Sequence, residues 1–100
     1  MMKLLTKELE KKIPRIGSQE DVEDPVVHVH YFHPLSSWDW YGIEFDPSER
    51  IFFGWVRGDF PELGSFSLDE LESVKVAGIG MERDLYFEPR SLSEIQGGEV

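Results

Sequence analysis

Leu5, Leu9 and Ile13 recur four residues apart between lysines and glutamates, which places them on one face of a helix. Thr6 stands where an N-cap is needed and Pro14 disfavours helical geometry in the residue before it, so the spacing predicts a helix over 7–12. Lys7 and Lys11 form a like-charge i, i+4 pair, so this helix depends on tertiary packing rather than on its own side-chain pairs. Gly17-Ser18-Gln19-Glu20-Asp21-Val22-Glu23-Asp24-Pro25 then has no period at all and reads as a loop.

Period two begins at Val26. Val27, Val29 and Tyr31 alternate with His28 and His30 through Phe32, a β-branched and aromatic strand ended by His33-Pro34-Leu35-Ser36-Ser37. A second strand over 38–45 sets Tyr41, Ile43 and Phe45 on one face and Trp38 and Trp40 on the other. Asp46-Pro47-Ser48-Glu49-Arg50 has turn chemistry, and Ile51 to Arg57 follows as a third strand, so 38–45 and 51–57 are expected to form an antiparallel hairpin.

Beyond the loop 58–64, Ser65-Phe66 reads as a short strand. Ser67 and Glu70 have capping-box spacing ahead of Leu68, Leu71 and Val74, which predicts a helix over 68–74. Val76-Ala77-Gly78-Ile79-Gly80 breaks it. Met81 to Phe87 is a candidate last strand, and Ser91-Leu92-Ser93-Glu94 repeats the capping-box spacing before a terminal helical turn. Helices interleaved with hairpin-like strands indicate an α+β domain: an antiparallel sheet of three to five strands with two or three short helices, those near 7–12 and 68–74 covering one face.

At 100 residues the chain is one domain of residues 1–100 whose core must rest on its three Trp, three Tyr and seven Phe. With no cysteine, disulfides, thiolate metal sites and cysteine nucleophiles are excluded, and a reducing, cytoplasmic setting is the expectation. No apolar run approaches the ~18–20 residues of a membrane span, and charge enters too early for a signal-peptide core, so neither export nor a membrane partner is expected.

Charge changes the picture more. Residues 1–15 carry five basic groups against two acidic, whereas residues 16–100 carry five basic against eighteen acidic. Such a body repels phosphate backbones and attracts basic protein surfaces. Direct nucleic-acid binding is therefore not expected. Glu20, Asp21, Glu23 and Asp24 are the candidate partner-binding acids, with a carboxylate array imitating a nucleic acid as one use for them. The alternative for these acids is a solvated face that keeps the protein soluble. Trp38, beside Ser36 and Ser37, is the candidate exposed ring for a partner contact.

His28 and His30 on one strand face, with Cβ atoms roughly 6–7 Å apart, have the spacing of two metal ligands, and His33 with Asp39 or Glu44 are candidate further donors. The competing reading is half-buried sheet histidines, and no cofactor is expected. Arg57 and Asp84 are expected to form a structural ion pair fixing the last strand. No Ser/His/acid constellation or phosphate loop is present.

The segments Met2 to Leu9, Phe53-Gly54-Trp55-Val56, Pro61 to Glu72, and Glu82-Arg83-Asp84-Leu85-Tyr86-Phe87 resemble the family called domain of unknown function 2958, across nearly the whole chain. The resemblance implies a small bacterial protein of plasmids, phages and integrated mobile elements. It offers no catalytic residues to carry over, and the acidic loop and His-rich strand are more marked here than is usual in that family. The function expected is a non-enzymatic acidic interaction protein directed at a basic surface of a host-defence or nucleic-acid-handling protein, as a monomer or small homo-oligomer. The alternative is a small metal-dependent hydrolase or nuclease built on His28 and His30.

Overall fold

The computed structural model describes residues 2–97. Along the chain lie α1 (Lys7–Lys12), β1 (Val26–Val27), β2 (Val29–Phe32), β3 (Asp39–Asp46), β4 (Ile51–Arg57), β5 (Glu62–Ser67), α2 (Leu68–Ser73), β6 (Lys75–Val76), β7 (Ile79–Gly80), β8 (Glu82–Arg83), β9 (Arg90–Ser91) and α3 (Leu92–Gly97). Five strands form one antiparallel sheet in the order β5-β4-β3-β2-β8, and β1 with β9 and β6 with β7 form two small ladders. The fold is α+β.

The caps act as their residue types dictate. Thr6 accepts the Leu9 N–H at 3.1 Å and Ser67 accepts the Glu70 N–H at 3.1 Å, each satisfying a donor at a helix start that has no intrahelical acceptor. In the β3–β4 turn, Asp46 accepts both the backbone N–H and the hydroxyl of Ser48, which holds its carboxyl below the usual range. Arg50 closes that turn at φ 57° and reaches Asp69 and Glu72 of α2 at 2.6 Å each.

One face of the sheet carries the main core. Val29, Tyr31, Phe45 and Phe52 meet Leu4, Leu5 and Ile13 from the N-terminal segment, Leu68 and Leu71 from α2, and Met81. The Tyr31 hydroxyl donates to the Leu4 carbonyl at 2.7 Å, and burial pushes it well above its ordinary pKa. Phe52 stacks on Phe66 with centroids 5.1 Å apart. The opposite face carries a second, smaller cluster of Val27, Tyr41, Ile43 and Leu92.

Several expectations are corrected. Tyr41, Ile43 and Phe45 do not share a face: the β3–β4 register shifts between Gly42 and Glu44, and this extra residue turns Phe45 into the first cluster while Tyr41 and Ile43 stay in the second. The 26–32 strand is broken at His28, so Val26 and Val27 leave the main sheet to pair with β9. The loop expected to run to Gly64 ends at Pro61, because Glu62, Leu63 and Gly64 already pair with β4. Residues 75–80 turn back as a hairpin through Ala77 and Gly78, at φ 54° and 79°, a two-residue turn of the kind that matches strand twist. Of the expected last strand only Glu82 and Arg83 pair, with β2.

Candidate interaction face

The second sheet face is only partly covered, and its side chains follow from strand alternation. His30 from β2, Asp39 and Tyr41 from β3, and Arg57 from β4 all project there. Their registers bring them together: His30 is opposite Tyr41, and Asp39 is opposite Arg57.

His30 Nε2 lies 2.7 Å from Asp39 Oδ1, and His30 Nδ1 lies 3.2 Å from Asp84 Oδ2. A neutral imidazole has one N–H, so both contacts are hydrogen bonds between a ring donor and a carboxylate only when the ring carries both protons. Arg57 Nη2 donates to Asp39 Oδ2 at 2.7 Å. The imidazole stacks on Tyr41, with centroids 4.5 Å apart and planes 9° apart. Arg57 and Asp84, expected to pair with each other, are instead joined through Asp39 and His30, because β2 and β3 lie between β4 and β8. Both His30 nitrogens are thus directed at carboxylate oxygens of the protein itself. The network acts as a strut across four strands, beside a shallow hollow of ≈ 390 Å³ shared with Phe32, Ser36 and Ser37.

The three histidines expected as candidate ligands go to different places. His33 is buried, with Nε2 2.8 Å from the Ile79 carbonyl and Nδ1 accepting the Leu35 N–H at 3.0 Å. His28 sits at the break between β1 and β2, where its backbone N–H bonds to Gly42 and burial holds its imidazole below its ordinary pKa. Among the described residues no group of three or more His, Asp or Glu has an arrangement able to hold a metal ion.

The acidic loop is organised by a residue outside it. Glu44, 5% exposed, accepts the N–H of Gly17 at 3.1 Å and of Gln19 at 2.6 Å, pinning the loop over β3. Asp24 is exposed but engaged: its carboxylate accepts the Ser93 N–H at 2.9 Å and hydroxyl at 2.6 Å, and these bonds lower its pKa. It caps the start of α3. Glu20, Asp21 and Glu23 remain exposed. Between this loop and β5 runs a groove of ≈ 390 Å³, lined by Ile16, Val22, Ile43, Phe53 and Leu63 with Glu20 and Glu23 at its rim. Leu63 and Ile16 are each 48% exposed.

Trp38 leans against the backbone of Gly58, where a Cβ would come within 2.7 Å of its ring, and lies 5.9 Å from Trp40. It is a partly exposed ring at the loop end of the sheet, where Leu35 and Phe60 are also exposed, and lines neither the groove nor the hollow. The groove residues Ile16, Val22 and Leu63 were not singled out from the sequence. A lone apolar residue among acids, such as Val22, was the available signal.

Residues 4–95 match the family model described as protein of unknown function DUF2958. The chain belongs to that family. No curated protein and no solved structure matches it. In this DUF2958 protein the candidate face therefore rests on its own geometry. No helix among the described residues is long and apolar enough to cross a membrane.

Proposed function

We propose that this DUF2958 protein is a non-enzymatic interaction module that takes a basic, partly apolar segment of another protein into the groove between the 16–25 loop and β5. The observation that carries this reading is the pairing of an apolar groove with an acidic rim: Ile16, Val22, Phe53 and Leu63 offer surface to bury, and Glu20 and Glu23 stand at its edge. Eighteen acids against five basic groups in residues 16–100 draw a cationic partner in and repel nucleic acid. The apolar floor favours a peptide segment over a purely electrostatic contact of the kind a nucleic-acid mimic makes. The engagement of both His30 nitrogens by carboxylates weighs against a hydrolase centred on that residue.

A synthetic peptide alternating lysine and valine, carrying a fluorophore, tests this by anisotropy. Binding is expected to weaken with salt as the Debye length falls from about 10 Å at 0.1 M to about 3 Å at 1 M. Glu20→Gln with Glu23→Gln should slow association, and Leu63→Ser should speed dissociation. Unchanged rates in both variants, or preferential binding of duplex DNA, would overturn the proposal.

A further inference from the structure

The two edges of the five-stranded sheet are treated differently. At one edge β8 has only two paired residues, and the Arg83 N–H is already taken by Met2 Sδ at 3.1 Å while its guanidinium donates to the Lys3 carbonyl at 3.0 Å. That edge is short and covered by the N-terminal segment. At the other edge β5 runs six residues in unbroken register, from Glu62 opposite Val56 to Ser67 opposite Ile51. No strand pairs with its outer side among the described residues.

Exposed edges usually carry a lysine, a proline, a bulge or an inward charge that discourages another backbone. Within Glu62–Ser67 there is no Lys, Arg or Pro and no register shift, and Gly64 at its centre has no side chain to fend off an approach. Leu63 and Ser65 of this same strand line the groove. A strand laid along β5 would therefore send alternate side chains to the groove side of the sheet, next to Leu63 and towards Glu20 and Glu23.

We infer that the basic segment binds by β-strand addition to β5, in extended form, with its backbone completing the outer ladder and every second side chain entering the groove. This rests on the interaction reading above and adds its mode. The occupant is a cationic segment of a different protein rather than a second copy of this chain, because the chain carries a net charge of −10 and the edge and groove rim themselves supply Glu62, Glu20 and Glu23. Strand addition draws its affinity from main-chain bonds and its selectivity from alternate side chains.

The test uses the full chain and three forms of the lysine–valine peptide: unmodified, N-methylated at the lysine amides, and N-methylated at the valine amides. Only every second residue of an added strand turns its N–H to the edge. One methylated form should bind about tenfold or more weakly and the other close to the parent, since loss of ordered backbone bonds at that level costs at least 1.4 kcal/mol. Hydrogen exchange of β5 amides should slow on adding the parent peptide. Equal binding of all three forms, or equal weakening of both methylated forms, would overturn strand addition while leaving the groove reading standing. Failure of the unmodified peptide to bind would remove the interaction reading itself. A concentration-dependent dimer of the chain displaced by the peptide would assign the edge to a second copy and overturn the inference.

Discussion

Asp39 stands between His30 and Arg57, one carboxylate oxygen 2.7 Å from the imidazole Nε2 and the other 2.7 Å from the guanidinium Nη2. Its side chain is 15% exposed, so the two contacts form largely away from solvent and are screened less than surface pairs. Replacing it removes the carboxylate that the imidazole and the guanidinium share across β3. Asp39→Asn should therefore lower stability by about 2–3 kcal/mol, as expected when a partly buried, charge-assisted bond is broken. Asp69→Asn, which touches only the exposed Arg50 pair, should cost less than about 1 kcal/mol. Urea unfolding followed by tryptophan fluorescence separates the two, and equal effects would contradict the strut assigned to Asp39.

Gly54 lies opposite Gly42 in the β3–β4 ladder, and a Cβ on it would overlap the Tyr41 carbonyl oxygen, part of the backbone itself. No rotamer change relieves that overlap. Gly54→Ala should destabilise by about 3 kcal/mol or more through displacement of the strand pair, beyond the usual cost of one added methyl. A thermal midpoint within a few degrees of the wild type would show that the strands shift easily.

The four acids of the 20–24 stretch should not behave alike. All four are exposed, but Asp24 caps α3 through its bonds to Ser93, whereas Glu20, Asp21 and Glu23 lie along the loop surface. Asp24→Ala should lower the thermal midpoint and speed exchange of the amides of α3, while the triple variant at the other three positions should leave both unchanged. Matching thermal midpoints for the two variants would place all four carboxylates in one class.

Burial lowers the His28 pKa in the folded chain. The unfolded chain then binds the proton more readily, so this histidine's contribution is fully present above the unfolded value of ~6.5 and is lost as pH falls through the folded value. His28→Gln should lose less stability than the wild type between pH 7.5 and pH 5, in denaturant titrations at the two pH values. An identical pH dependence in both proteins would show that His28 is equally solvated in the folded and unfolded chains.

The helices were legible because their signals are local. Thr6 and Ser67, the apolar spacing behind them and Pro14 all act within one or two turns, and α1 falls on 7–12 as read while α2 ends one residue early, at Ser73. The β3–β4 hairpin was legible for the same reason, through its turn chemistry and alternating strands. The bulge at Ile43 was not, because it is a property of how β3 pairs with β4 and not of either segment alone. Nor was β5 readable at full length: Glu62 and Gly64 have weak strand propensity, and pairing with β4 overrides it.

Residue pattern alone determined the α+β class, the antiparallel hairpin, the helices that cover one face and the acidic character of the body. These depend on periodicity, capping and charge, which are properties of neighbouring residues. The tertiary structure decided the rest: that Asp39 and His30 stand between Arg57 and Asp84, that Glu44 holds the acidic loop above β3, and that Asp24 turns to α3. Each joins side chains far apart along the chain, where strand order and register, not spacing, set which groups come within bonding distance.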